Sequence, residues 1–310
     1  MYETLDIITI GESLIEFSSE KSLLQAENFS KYYGGDTLSV AIAALRSGSK
    51  VGYITKVKND SFGEYLLDCW QSEGLDSSQV KFSDLQNGVY FCGLKNGEVE
   101  MEFYRKKTAA SRLDVSDIDF NYIKSSKFIF ATGFVQSLSL NCREVVKEVF
   151  KFAKNNGILT GYYPNFRHTD LLEPEAREMF LEIKDYIDYI FINVKDNIIF
   201  DTNSPDNLIA KLHDIQIHNA VIIKNHDGIY VTNGTETNYT KTLNVDTVDI
   251  TGNTSAIIGA FISSKLQGNS DIEAIKYANV LGAMQASKLG AIKSIPKKNE
   301  VYDLMRRFYE

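Results

Sequence analysis

Apolar and polar positions alternate along the chain in two rhythms that predict two kinds of element. Leu5-Asp6-Ile7-Ile8-Thr9-Ile10 is a short β-rich run closed by Gly11 and reads as a buried strand. From Thr37 onward, Leu38, Ala41, Ile42 and Leu45 fall at i, i+3, i+4 and i+7, one face of a helix that Gly48 would end. Val51-Gly52-Tyr53-Ile54-Thr55 gives the next strand, and a helix carrying Tyr65, Leu66, Cys69 and Trp70 follows it. Strand runs recur at Phe128–Ala131, Ile158–Tyr162, Tyr189–Asn193 and Ala220–Lys224. This alternation predicts an α/β fold: a mainly parallel central sheet flanked by helices, with ligands near the carboxyl ends of its strands.

One segment breaks the alternation. Val89–Leu94 and Glu100–Arg105 are joined by Lys95-Asn96-Gly97-Glu98, the signature of an antiparallel hairpin. With the segment after Gly11, it would form a small β-stranded lid of roughly residues 12–35 and 88–112, inserted in one α/β domain spanning residues 1–310. No long linker, low-complexity stretch or internal repeat argues for a second domain.

Composition narrows the function classes. With 44% hydrophobic and 24% charged residues the chain is that of an ordinary globular protein, and its net charge of −8 argues against nucleic acid or an anionic membrane as partner. Cys69, Cys92 and Cys142 are odd in number and widely spaced, which suits reduced thiols better than a disulfide framework or a zinc site. The chain shows no leader-like N-terminal segment and no apolar run of about 18 residues, so the expected location is cytoplasmic. His168, His213, His218 and His226 lack metal-ligand spacing, and neither G-x-x-x-x-G-K-[ST] nor G-x-G-x-x-G is present.

Four stations could carry chemistry, and each also has a plain packing explanation. Tyr33-Gly34-Gly35-Asp36 precedes a helix; its glycines permit close approach of a ligand, while Asp36 could equally be an N-cap. Phe103-Tyr104-Arg105, before Thr108-Ala109-Ala110, offers an aromatic-flanked guanidinium suited to a carboxylate or a hydroxyl-rich substrate, or a solvated edge-strand Arg. Tyr163-Pro164-Asn165-Phe166-Arg167 follows a strand, which puts Asn165 and Arg167 at the carboxyl-end rim. Asp249-Ile250-Thr251-Gly252-Asn253-Thr254-Ser255 is a glycine turn opening an apolar helix. Free N–H groups and the helix dipole there favour an anion.

Taken together and in this order, the stations resemble the ribokinase-like PfkB carbohydrate kinases over nearly the whole chain, and among them the 2-keto-3-deoxygluconate kinases. Ile10-Gly11-Glu12-Ser13-Leu14-Ile15-Glu16, Gly34-Gly35-Asp36-Thr37-Leu38, Phe103-Tyr104-Arg105 and Pro164-Asn165-Phe166-Arg167 carry the likeness, with Tyr277-Ala278-Asn279 and Leu289-Gly290-Ala291-Ile292 near the end. The resemblance implies ATP- and Mg²⁺-dependent phosphoryl transfer to a sugar hydroxyl beneath a β-stranded lid, and homodimers formed through that lid. By position, Gly34, Gly35, Asp36, Tyr90, Tyr104, Arg105, Asn165 and Arg167 would hold the sugar or sugar acid. Asn193, Lys224, Gly228, Gly252 and Asn279 would lie toward ATP, and Asp196 would help organise metal-bound water.

Departures from the family pattern gather where the chemistry would happen. The family's late motif D-T-x-G-A-G-D ends in the Asp that acts as base; here Ser255 holds that place, and Gly252, Asn253 and Thr254 form the implied anion hole. A neutral hydroxyl cannot take a proton as a carboxylate does, and losing general-base assistance costs about 10²–10⁴-fold in rate. Asn253 and Thr254 add bulk in place of Ala and Gly, Ser39 replaces an Asn, Tyr163 an Asp, and Asp196 a Glu. Three functions follow: a sugar-kinase homologue with weak or lost phosphoryl transfer, an active kinase in which Asp249, Asp36 or Asp196 compensates, and a non-enzymatic sugar-binding or interaction protein.

Overall fold

A computed structural model of the chain describes residues 2–95, 98–166, 171–224 and 227–309. In chain order its strands are β1 (Leu5–Ile10), β2 (Leu14–Ser18), β3 (Ser30–Gly34), β4 (Val51–Ile54), β5 (Lys56–Lys58), β6 (Lys81–Ser83) and β7 (Gly88–Lys95). They continue with β8 (Glu98–Tyr104), β9 (Ser126–Thr132), β10 (Leu159–Tyr163), β11 (Tyr189–Asn193), β12 (Asn219–Lys224), β13 (Gly228–Asn233) and β14 (Thr237–Lys241). The first helices are α1 (Asp36–Arg46), α2 (Ser61–Glu73), α3 (Phe120–Lys124), α4 (Gly133–Gln136) and α5 (Leu140–Asn155). After them come α6 (Glu173–Leu181), α7 (Pro205–Asp214), α8 (Asn253–Leu266), α9 (Asp271–Ala286) and α10 (Lys298–Tyr309).

The main sheet runs β14-β13-β12-β11-β10-β9-β1-β4, parallel from β4 through β12, with β13 antiparallel to both its neighbours. Its strands are apolar on both faces, as a sheet covered twice requires. Alternate side chains divide between two cores. Ile7, Phe128, Phe130, Phe191, Val221 and Ile223 pack with α1, α8 and α9. Ile8, Ile10, Ile129, Ile190, Ile192 and Ile222 pack with α5, α6 and α7.

From β1 the chain goes to β4 on one side and later returns to β9 on the other, so the order of strands reverses at β1. Crevices outside the carboxyl ends at such a reversal are where open α/β sheets take ligands. Here those ends are Gly11-Glu12 after β1 and Gly133 after β9. Helix α8 is buried all round, from Ser255 through Ser264, which is why its N-terminus lies inside the protein. A Cβ on Gly259 would come within 2.3 Å of the Val40 carbonyl oxygen, so glycine there lets α8 and α1 approach closely.

The segment after Gly11 and the hairpin do meet. They form a second sheet ordered β3-β2-β7-β8, in which β2 and β7 pair in parallel. The hairpin turn at Asn96-Gly97 lies outside the described residues. Three readings of the sequence shift. Strand β10 begins at Leu159 rather than Ile158. Gly35, with φ +139°, caps α1, and Asp36 is its first helical residue rather than its cap. β13 and β14 were not foreseen, because polar residues interrupt both runs and leave a pattern that resembles loop.

Phe261 on α8 meets Tyr189 and Phe191 at ring-centroid distances of 6.4 and 5.9 Å. Phe261→Ala is expected to lower stability by about 3–5 kcal/mol, read as a reduced urea midpoint. In the second sheet Glu16 is buried and accepts hydrogen bonds from Tyr90 Oη and Ser18 Oγ, yet burial holds its pKa above the ordinary 4.5. A carboxyl raised in the folded state weakens the fold once it ionises. Glu16→Gln is therefore expected to raise stability near pH 7, with the gain shrinking as the pH falls from the raised value toward 4.5. Urea unfolding at pH 7 and pH 5 checks the sign.

Candidate active site

The N-terminus of α8 is held by a polar brace. Asp249 Oδ1 accepts from the Thr251 N–H at 2.8 Å, and its Oδ2 accepts from the Gly290 N–H at 2.9 Å. Gln285, fully buried on α9, donates to the carbonyls of Thr251 at 2.9 Å and Ala291 at 3.4 Å. Its own oxygen accepts from Asn253 Nδ2 at 2.7 Å. Gly252 sits in the left-handed region at φ +73°, which a Cβ would strain, and lets the chain turn into the helix. The Asn253 and Ala256 N–H groups bond back to the Ile250 and Gly252 carbonyls. Those of Thr254 and Ser255 have no acceptor among the described residues.

The bulk of Asn253 and Thr254 is drawn aside rather than left in the turn. Asn253 Nδ2 also donates to the Gly282 carbonyl at 2.8 Å, and Thr254 Oγ1 accepts from Asn193 Nδ2 at 2.8 Å. Ser255 is 4% exposed, and its hydroxyl bonds to no described residue. All three line a cavity of about 830 Å³.

Gly35, Asp36, Tyr90 and Asn165 also line this cavity. Asn165 adopts φ +42°, which Asn tolerates better than most residues, and donates from Nδ2 to Asp36 Oδ2 at 3.0 Å. Burial pushes the Asp36 carboxyl up, against the pull of that bond and of Arg105. Tyr90 spends its hydroxyl proton on Glu16.

Other expected contacts lie elsewhere. Gly34 is beside the cavity, and a Cβ there would strike Tyr90 Oη at 2.3 Å, so packing explains this glycine. Tyr104 is 65% exposed and is not part of the wall. Arg105 stands behind the wall: its Nε donates to the buried Glu12 at 2.9 Å and its Nη2 to the Phe134 carbonyl at 3.0 Å. Its guanidinium carbon is 3.5 Å from the Phe134 ring centroid. Burial raises the Glu12 carboxyl, while Arg105 and Thr108 oppose that rise. Arg167 lies outside the described residues.

On the other half of the cavity, Asn193 and Asn279 are present at the wall. Asn279 spends its amide on the Lys241 carbonyl at 2.8 Å and Tyr309 Oη at 3.1 Å. Lys224 pairs with Asp227 at 2.8 Å and is not part of the wall. Gly228 faces β14, where a Cβ would meet the Thr240 carbonyl oxygen at 2.4 Å. Asp196 is buried at the wall and accepts from Tyr163 Oη at 3.0 Å, so two of the expected departures form one contact. Among the described residues no three His, Cys, Asp or Glu side chains cluster as a metal site.

Sequence reasoning missed Lys195, Gln285 and an apolar wall of Ile223, Ile229, Val245, Ile257 and Ala283. A Gln amid the apolar run Leu281-Gly282-Ala283-Met284-Gln285-Ala286 was the available signal for the brace. The wall residues carry none, since each looks like ordinary core.

Residues 4–298 match the model of the pfkB family of carbohydrate kinases. Fructokinase-1 of Oryza sativa subsp. japonica is 30% identical over 316 residues, covering 96% of this chain and 97% of that protein. The 2-dehydro-3-deoxygluconokinase of Bacillus subtilis (strain 168) is 27% identical over 307 residues, covering 96% and 94%. The fold matches the crystal structure of fructokinase with bound ATP from Xylella fastidiosa at a TM-score of 0.84 and 18% identity, over 98% of this chain and 99% of that one. The strand reversal, the braced glycine turn and the extent of these matches agree: the chain belongs to the pfkB family of carbohydrate kinases.

Proposed function

We propose that this protein is a sugar-binding pfkB homologue whose phosphoryl transfer is weak or lost, and the observation that carries the reading is Ser255 at the N-terminus of α8. A purine nucleotide fits the residues present: the apolar wall would take the base, and the free N–H groups of Thr254 and Ser255 would take a phosphate. When bound with Mg²⁺, ATP supplies the electrophilic phosphorus. Asp196 would reach the cation through water, since Mg²⁺ keeps several waters beside nucleotide phosphates.

The missing function is proton removal from the sugar hydroxyl. Ser255 is neutral, and its hydroxyl can donate or accept a hydrogen bond but cannot act as a base near pH 7. The carboxylates of the wall have other duties. Both oxygens of Asp249 hold backbone N–H groups, Asp36 holds Asn165 and the Thr37 N–H, and Asp196 holds Tyr163. Each supports the shape of the wall.

Asp36 and Asn165 are suited to sugar hydroxyls, and the sheet β3-β2-β7-β8 would serve as the lid over them. Arg105 is committed to Glu12, so recognition of a sugar carboxylate has no described arginine on the wall. D-Fructose and 2-keto-3-deoxygluconate are the substrates to test, following the names of the two relatives.

An ATP-coupled assay with both sugars separates the readings. The native protein is expected to show no turnover above background, and Ser255→Asp to gain at least about 10²-fold. Native turnover that equals or exceeds that of Ser255→Asp would show that transfer does not need a carboxylate here and would overturn the proposal.

A further inference from the structure

We infer that the ligand held in this site carries its own phosphate: a phosphorylated sugar binds with its phosphate at the N-terminus of α8 and its hydroxyls toward Asp36 and Asn165. The inference rests on the reading of lost transfer and names the ligand class for the same cavity. Three features of the corner point to an anion. The Thr254 and Ser255 N–H groups have no acceptor among the described residues. Ser255 is 4% exposed, lines the cavity, and directs a hydroxyl into it that no described group engages. Lys195 lines the same cavity, and its ammonium has no ion-pair partner among the described residues.

Ser255 decides between a sugar and its phosphate. A carboxylate at this position would repel a phosphate held on the adjacent N–H groups, as suits an enzyme that must release a phosphorylated product. A hydroxyl instead donates to a phosphate oxygen, and a charge-assisted bond of this kind is stronger than a neutral one. Both oxygens of Asp249 accept backbone N–H groups, whose dipoles partly offset that carboxylate beside the corner. Asn253 and Thr254 are tied to Gln285, Gly282 and Asn193, so their polar ends are held away from the free N–H groups. A cavity of about 830 Å³ has room for a hexose derivative with its phosphate.

Titration calorimetry on the full chain tests this, with 6-phosphogluconate against gluconate, fructose 6-phosphate against fructose, and separate arms for inorganic phosphate and ADP. At least one phosphorylated compound is expected to bind about tenfold or more tightly than its parent, and more tightly than inorganic phosphate. Ser255→Asp should reduce that ratio below about twofold, and Lys195→Ala should weaken the phosphorylated compound severalfold. If Ser255→Asp does not fold by circular dichroism, Lys195→Ala on the exposed rim carries the test. No preference for either phosphorylated sugar overturns the inference, as does a preference that survives both substitutions. ADP binding without such a preference also overturns it and assigns the corner to a nucleotide. Native turnover that equals or exceeds that of Ser255→Asp in the kinase assay would instead sink the reading of weak or lost transfer, so the two failures are distinguishable.

Discussion

The brace between Asp249, Gln285 and the turn at Thr251–Asn253 is the constraint on which the site depends. A helix N-terminus buried inside a protein carries N–H groups that must find partners or a ligand. Here the carboxylate of Asp249 and the amide of Gln285 fix the loop on both sides, to Gly290 and to Ala291. The turn is thereby held in one conformation, with the Thr254 and Ser255 N–H groups left unpaired among the described residues. The surrounding sheet places that corner by the carboxyl ends of β10 and β11, whose Tyr163 and Asn193 line the same cavity.

The residues that the sequence reading expects to depart from the family pattern bond to one another or to neighbouring loops. Tyr163, at the end of β10, and Asp196, in the turn just after β11, contact each other. Asn253 and Thr254 bond to α9 and to Asn193, which stitches the turn to its neighbours. Ser39 donates to the Gly35 carbonyl at 2.8 Å, inside the loop that caps α1. These bonds hold the shape of the cavity, which the proposed binding role requires.

The framework was legible in the sequence because it rests on periodicity. β1 and β11 match their predicted bounds, and the hairpin was visible from Lys95-Asn96-Gly97-Glu98 between two apolar runs. The site was legible in part. The glycine turns at Gly35 and Gly252 do lie at the cavity, but the cause differs by residue: Gly252 serves its positive φ, whereas Gly34 and Gly228 make room for Tyr90 and β14. Arg105 resembled a substrate ligand because sequence shows the guanidinium and not its buried partner Glu12, which is 93 residues away. Lys195 was invisible because it is an ordinary surface type, whereas Gln285 stood out as an isolated amide in an apolar run whose role appears only once the loops meet.

The most direct test is a crystal structure of the full chain grown with 6-phosphogluconate. The account predicts the phosphate within about 3 Å of Ser255 Oγ and of the Thr254 and Ser255 backbone nitrogens, with the sugar hydroxyls on Asp36 and Asn165. A phosphate bound away from α8, or a sugar seated with its carboxylate or a bare hydroxyl at Ser255, would contradict it.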